Sequence, residues 1–131
     1  MQQNFRFNRY IDERMKNMEN CLFCKIIRGE IPSTKVYEDE NTYAFRDIAP
    51  QTPEHIVVVP KAHVSGMNGI DRMNDAQLAA CLRACREAAK IAGIEESGYR
   101  VITNCGENAC QSVKHLHFHV LGGRKMSESM A

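Results

Sequence analysis

The chain has 131 residues, 44% hydrophobic and 25% charged, with a formal net charge of +1. That length supports one domain around one small core, and the charge balance gives no electrostatic case for nucleic acid or an anionic membrane. No apolar run approaches the roughly 18 residues of a spanning helix. The polar stretch Met1 to Asn20 lacks a signal-peptide core, which argues for the cytoplasm.

Residues 1–20 keep no hydrophobic period and read as a peripheral arm, with a short helix around Tyr10 to Asn17; the compact domain spans 21–131. Leu22 to Arg28 predicts about two helical turns, stopped by Gly29 and Pro32. Lys35-Val36-Tyr37 and Thr42 to Arg46 flank the polar tetrad Glu38 to Asn41, which reads as a hairpin. Pro50 and Pro53 mark a loop before the apolar strand Ile56 to Val59, ended by Pro60.

A long helix is predicted from Asp75 to Ala92, with Asn74 and Gln77 spaced as a capping box and Gly93 as the stop. Leu78, Cys81, Leu82, Cys85, Ala88, Ala89 and Ala92 form its apolar stripe, and Arg83, Arg86, Glu87 and Lys90 its wet face. Tyr99 to Thr103 is a further strand, and a last one follows from His115. Five short strands with one long helix and no βαβ alternation predict an α+β fold with a mainly antiparallel sheet.

The last strand carries the densest chemistry. His115, His117 and His119 occupy alternate positions. In a strand they share one face, while Leu116, Phe118 and Val120 face the core. On a helix each step would turn about 200° and scatter the rings. Such a face suits a metal site, or a nucleophilic imidazole whose other nitrogen donates to a fixed acceptor. Satisfied polar residues on a wet face are the bland alternative. Gln111 and Ser112, just upstream, supply an amide and a hydroxyl able to assist a leaving atom.

Six cysteines in a chain of this size do not suggest a disulfide framework. Cys81 and Cys85 lie four apart on the predicted helix face and suit small buried groups. Cys105 and Cys110 fall in a loop without an evident partner. Cys21 and Cys24, two residues between them, can converge on one ion.

The run Gln111-Ser112-Val113-Lys114-His115-Leu116-His117-Phe118-His119-Val120-Leu121-Gly122-Gly123-Arg124 resembles the signature of the histidine triad superfamily, its Gly-Gly-Arg ending matching the Hint branch. The segments Cys21 to Pro32, Phe45 to Gln51 and Val59 to His63 are similar to the family's other blocks, so the likeness covers Cys21 to Lys125 in order. It implies a five-stranded antiparallel sheet with one long and one short helix, extended across a homodimer. His117 is implied as the nucleophile, His119 as the phosphate ligand, and Ser112 with Gln111 near the leaving group. Asp47 is implied on the ribose hydroxyls, with Phe23, Ile31, Phe45 and Ile48 walling the base pocket and Asn104 near the phosphate. His55 also matches a family histidine, with a structural role at least as expected.

In a zinc-carrying subset of the superfamily the pattern corresponds to Cys21, Cys24, His63 and His115. The implied partner is a purine nucleoside monophosphate or its phosphoramidate, with no nucleic acid and no membrane. The implied activity is hydrolysis of purine nucleoside 5'-phosphoramidates through a covalent nucleotidyl-histidine. A dinucleoside polyphosphate hydrolase, or a nucleotide-binding partner protein with vestigial catalysis, is the alternative. The chain departs from the pattern at Cys110, where the family has Gly, and in a short tail that contains no Trp.

Overall fold

The computed structural model describes residues 18–130, so the helix read around Tyr10 to Asn17 lies outside the described residues. Five strands form one sheet: β1 (Lys35–Glu38), β2 (Thr42–Arg46), β3 (Glu54–Pro60), β4 (Tyr99–Ile102) and β5 (Phe118–Gly122), in the order β1-β2-β3-β5-β4. Every pairing is antiparallel. Among the described residues the short α1 (Leu22–Ile27) and the long α2 (Asp75–Ile91) pack on it.

The twofold alternation of side chains sorts the sheet into two buried faces. Ala44, Ile56, Val58, Phe118 and Val120 pack beneath Cys81, Ala84, Cys85, Ala88 and Ala89 of α2. Phe45, Val57 and Val59 face the other way and meet Phe23, Cys24 and Ile26 of α1. The central strand β3 is therefore apolar on both sides. This explains the unbroken Ile56 to Val59 run in a sheet that is not parallel.

Element boundaries shift modestly. β3 begins at Glu54 and takes in Pro60 as its last residue, and the hairpin turn tightens because Glu38 joins β1. Asp39 closes that turn: one of its oxygens accepts the backbone N–H groups of Asn41 and Thr42, each at 2.8 Å. The last strand starts at Phe118, not His115. Leu82 leaves the expected stripe at 63% exposure, and Ala84, three residues beyond Cys81, fills the buried position.

The reading of α2's start holds. Asn74 Oδ1 accepts the Gln77 N–H at 2.8 Å while Gln77 Oε1 accepts the Asn74 N–H at 3.0 Å, a complete capping box. Gly93 follows the helix at φ +75°, a conformation that favours glycine. Asn74→Ala is expected to lower unfolding free energy by about 1 kcal/mol, read as a lower denaturation midpoint at unchanged slope. An unaltered midpoint would mean that α2 does not depend on its cap.

Candidate active site and metal cluster

The site occupies the α1 side of the sheet. Leu116, Phe118 and Val120 are drawn into the core under α2. His115, His117 and His119 point the opposite way, although only His119 lies within β5. His115 sits in a bend anchored by the Leu116 N–H, which donates to the Val64 carbonyl at 2.8 Å. Phe23 of α1 packs edge-on against the His115 and His117 rings, with centroids at 6.0 and 5.0 Å. The His63–His115, His117–His119 and His55–His119 rings lie 4.9, 5.1 and 5.0 Å apart. All five histidines of the chain thus form one row, bridged at its middle by Phe23.

One end of the row is a donor cluster. Cys21 caps α1, its Sγ accepting the Cys24 N–H at 3.4 Å, so the first helical turn carries both sulfurs to one side. Cys21 Sγ lies 3.3 Å from His115 Nδ1, and Cys24 Sγ lies 3.3 Å from His63 Nδ1 and 3.5 Å from His115 Nδ1. The two Nδ1 atoms are 3.1 Å apart, and the four donor atoms all fall within 4.8 Å of one another. His115 Nε2–H donates to the Pro60 carbonyl at 2.8 Å, which leaves Nδ1 a lone pair aimed into the cluster.

A tetrahedral ion with bonds of about 2.0–2.3 Å spans donor edges of about 3.3–3.8 Å, close to this arrangement. Burial pushes the Cys24 thiol up to about 12, with Cys21 adding to the effect, and drives His115 down to about 4. Without a cation these surroundings disfavour charge. With one, two thiolates and two neutral imidazoles become a matched set. The four residues singled out by sequence are together, and the donor set fits a closed four-coordinate ion.

The rest of the row suits proton and phosphoryl chemistry. His117 is 4% exposed, and its Nδ1–H donates to the His115 carbonyl at 2.6 Å. Its Nε2 therefore holds the lone pair. The His117 carbonyl accepts the Thr103 hydroxyl at 2.7 Å, fixing the backbone at this point. At the far end the Gln51 N–H donates to His55 Nδ1 at 3.1 Å, which places the His55 proton on Nε2. That proton is directed at His119 Nδ1, 2.8 Å away, with Asp47 Oδ2 at 3.4 Å. His119 must then carry its own proton on Nε2, making it a neutral donor.

The loop before the row is braced by Gln111. Its Nε2 donates to the carbonyls of Ser65 at 2.7 Å and Val113 at 3.0 Å, and its Oε1 accepts the Gly106 N–H at 3.0 Å. Gln111 thus serves the backbone, while Ser112 stands exposed beside it. Cys110 takes φ +58° and ψ +39°, the left-handed conformation that glycine adopts without penalty. Phe23 and Phe45 are buried in edge contact at 5.7 Å, and Ile31 packs partly buried on their cluster. Ile48 is fully exposed, Asp47 is partly buried and accepts the Ala49 N–H at 2.8 Å, and Asn104 is partly buried just past β4. Leu22, which sequence reasoning passed over, is 43% exposed beside Cys21; its one signal was an apolar residue next to a candidate ligand.

Burial is the chief cause lowering His119 to about 4, with His117 and His55 adding to it, and burial also lowers His55. An unfolded imidazole binds its proton near pH 6.5, so between about pH 6.5 and 4 the unfolded chain takes up protons that the folded one refuses. Stability is full above that window and falls as pH drops through it. His119→Asn is expected to shrink the loss of Tm between about pH 7 and pH 5, measured by thermal unfolding. Equal losses in both proteins would remove His119 as the cause.

Comparison with known proteins agrees with this geometry. The chain is 48% identical over 109 residues to a 14 kDa zinc-binding protein of Zea mays, covering 81% of this chain and 84% of that one. It is 40% identical over 113 residues to the purine nucleoside phosphoramidase of Escherichia coli, covering 86% and 95%. A solved HIT family hydrolase from Clostridium thermocellum superposes with a TM-score of 0.83 at 46% identity, covering 86% of this chain and 98% of the other. Residues 28–126 match the family described as the HIT domain, and this chain belongs to it.

Proposed function

We propose that the protein hydrolyses purine nucleoside 5'-phosphoramidates through a covalent nucleotidyl-His117. The observation that carries this reading is the 2.6 Å bond from His117 Nδ1–H to the His115 carbonyl, which leaves Nε2 as a lone-pair nucleophile. In the first step His117 Nε2 bonds to phosphorus as the phosphorus–nitrogen bond breaks, and the departing amine takes a proton from water by way of the Ser112 hydroxyl. Water then attacks phosphorus, its oxygen bonding as the Nε2–phosphorus bond breaks and its proton passing to solvent, which frees His117 and releases the nucleoside monophosphate. His119, held neutral with its proton on Nε2, donates to a non-bridging phosphate oxygen as charge builds there. The name of the Escherichia coli relative supports the substrate class.

Phe23, Phe45 and Ile31 wall the base, with Ile48 closing its rim, Asp47 takes the ribose hydroxyls, and Asn104 lies at the phosphate. Zinc would be held by Cys21, Cys24, His63 and His115. A closed Cys2His2 set leaves the metal no open position, so when bound it braces the loop and supplies no activated water. The domain at 21–131 works as a homodimer joined through the edge strand β4, where Val101 is 40% exposed. Six free thiols suit the reducing cytoplasm.

His117→Ala is expected to lower adenosine 5'-phosphoramidate hydrolysis by about 1,000-fold or more while the fold persists by circular dichroism. Residual activity near wild type would end the covalent reading. Diadenosine polyphosphate offered in parallel should be consumed far more slowly. Metal analysis should return about one zinc per chain, lost in Cys24→Ser. A zinc content near zero in the wild-type protein would leave both cysteines as packing residues.

A further inference from the structure

Beside the metal cluster opens a cleft of about 620 Å³, lined among others by Cys21, Leu22, His63, Ser65, Ser112 and Lys114. This volume suits a small ligand rather than a single water. Its walls come from distant parts of the chain, and Gln111 pins them together by donating to the carbonyls of Ser65 and Val113. The approach is close: a Cβ on Gly66 would meet the Gln111 amide at 3.2 Å. The cleft is thus a built feature of the loop that precedes the nucleophile.

Its chemistry is one-sided. Leu22 and Val113 offer apolar surface, and Ser65 and Ser112 offer hydroxyls. No carboxylate lines it among the described residues. A divalent ion held by two thiolates and two neutral imidazoles would carry no net charge into the cleft. The remaining formal charge is the ammonium of Lys114, which is exposed and forms no ion pair among the described residues.

We infer that this cleft receives the leaving group, and that Lys114 selects amines carrying an anion, such as the carboxylate of an amino acid. The inference rests on the phosphoramidase reading above. In-line displacement sends the leaving nitrogen away from His117, toward the side assigned to Ser112, which lines the cleft. The phosphorus–nitrogen bond breaks as His117 Nε2 bonds to phosphorus. The nitrogen gains one proton from water by way of the Ser112 hydroxyl, and the carboxylate leaves unchanged beside Lys114.

The test uses the full chain and two adenosine 5'-phosphoramidates, one of β-alanine and one of β-alaninamide, which differ in one charge. The readout is the ratio of kcat/KM for the acid to that for the amide, a quantity in which the active fraction of each preparation cancels. Lys114→Glu is expected to lower that ratio about tenfold, and added salt to lower it in the wild type. Lys114→Arg should stay within about twofold of the wild-type ratio, because the positive charge is kept. A ratio unchanged in Lys114→Glu, with the amide still hydrolysed, overturns the cleft assignment and leaves the phosphoramidase reading standing. If neither compound is hydrolysed in a His117-dependent way, both fall together.

Discussion

The site turns on His115, a residue that performs two tasks at opposite ends. Its ring is completely buried, with Nε2–H tied to the Pro60 carbonyl and Nδ1 turned toward Cys21, Cys24 and His63. Its own backbone carbonyl accepts the proton that decides which nitrogen of His117 is free. Anything that rotates the His115 peptide therefore alters the His117 ring without touching it. A metal on the His115 ring would restrain that peptide through the side chain. The donor cluster and the His117 imidazole are linked by two residues of backbone, so in the proposed reaction the cluster would belong to the scaffold of the nucleophile while supplying no chemistry.

This arrangement needs a sheet covered on both sides. β3 is buried against α2 through Ile56 and Val58 and against the α1 layer through Val57 and Val59. It pairs with β5 so that Val57 lies opposite His119 and His55 opposite Leu121. The apolar packing under α2 fixes the register. Because side chains alternate, that register also fixes which residues of β5 face α1. His55 and His119 are thereby aligned on the inner strands of the sheet, while Ser112 and Lys114 remain exposed.

Much of this was legible in the sequence where periodicity and chemistry agree. Asn74 and Gln77 announced the start of α2, and the alternation from His115 to Val120 separated core from site even though regular pairing begins only at Phe118. What stayed hidden depends on contacts distant in sequence. Leu82 has the right spacing for a buried stripe, yet its side of α2 is left exposed while Ala84 takes the buried position. The spacing of Gln111 beside Ser112 suggested chemistry, whereas its amide is engaged by carbonyls and an N–H from three segments. The donation from His55 to His119 joins residues 64 apart and leaves no local trace. Cys110 stood out against the family pattern, and its left-handed backbone supplies the physical reason glycine is usual there.

A row of five imidazoles poses an electrostatic problem whose solution sets how the site can work. Two neighbouring imidazolium ions about 5 Å apart would repel strongly in a buried setting, and burial already holds His55, His115 and His119 below the usual imidazole range. Neutral imidazole has one donor and one acceptor nitrogen, and the protein orients each ring from its edge. Pro60 orients His115, the His115 carbonyl orients His117, and the Gln51 amide orients His55, which in turn orients His119. Every one of these begins at backbone, which cannot change its protonation state. The tautomers are consequently set before any substrate arrives. The His117 nitrogen left free by the His115 carbonyl and the His119 N–H left free by His55 then stand side by side, the pairing of acceptor and donor on which the proposed reaction draws.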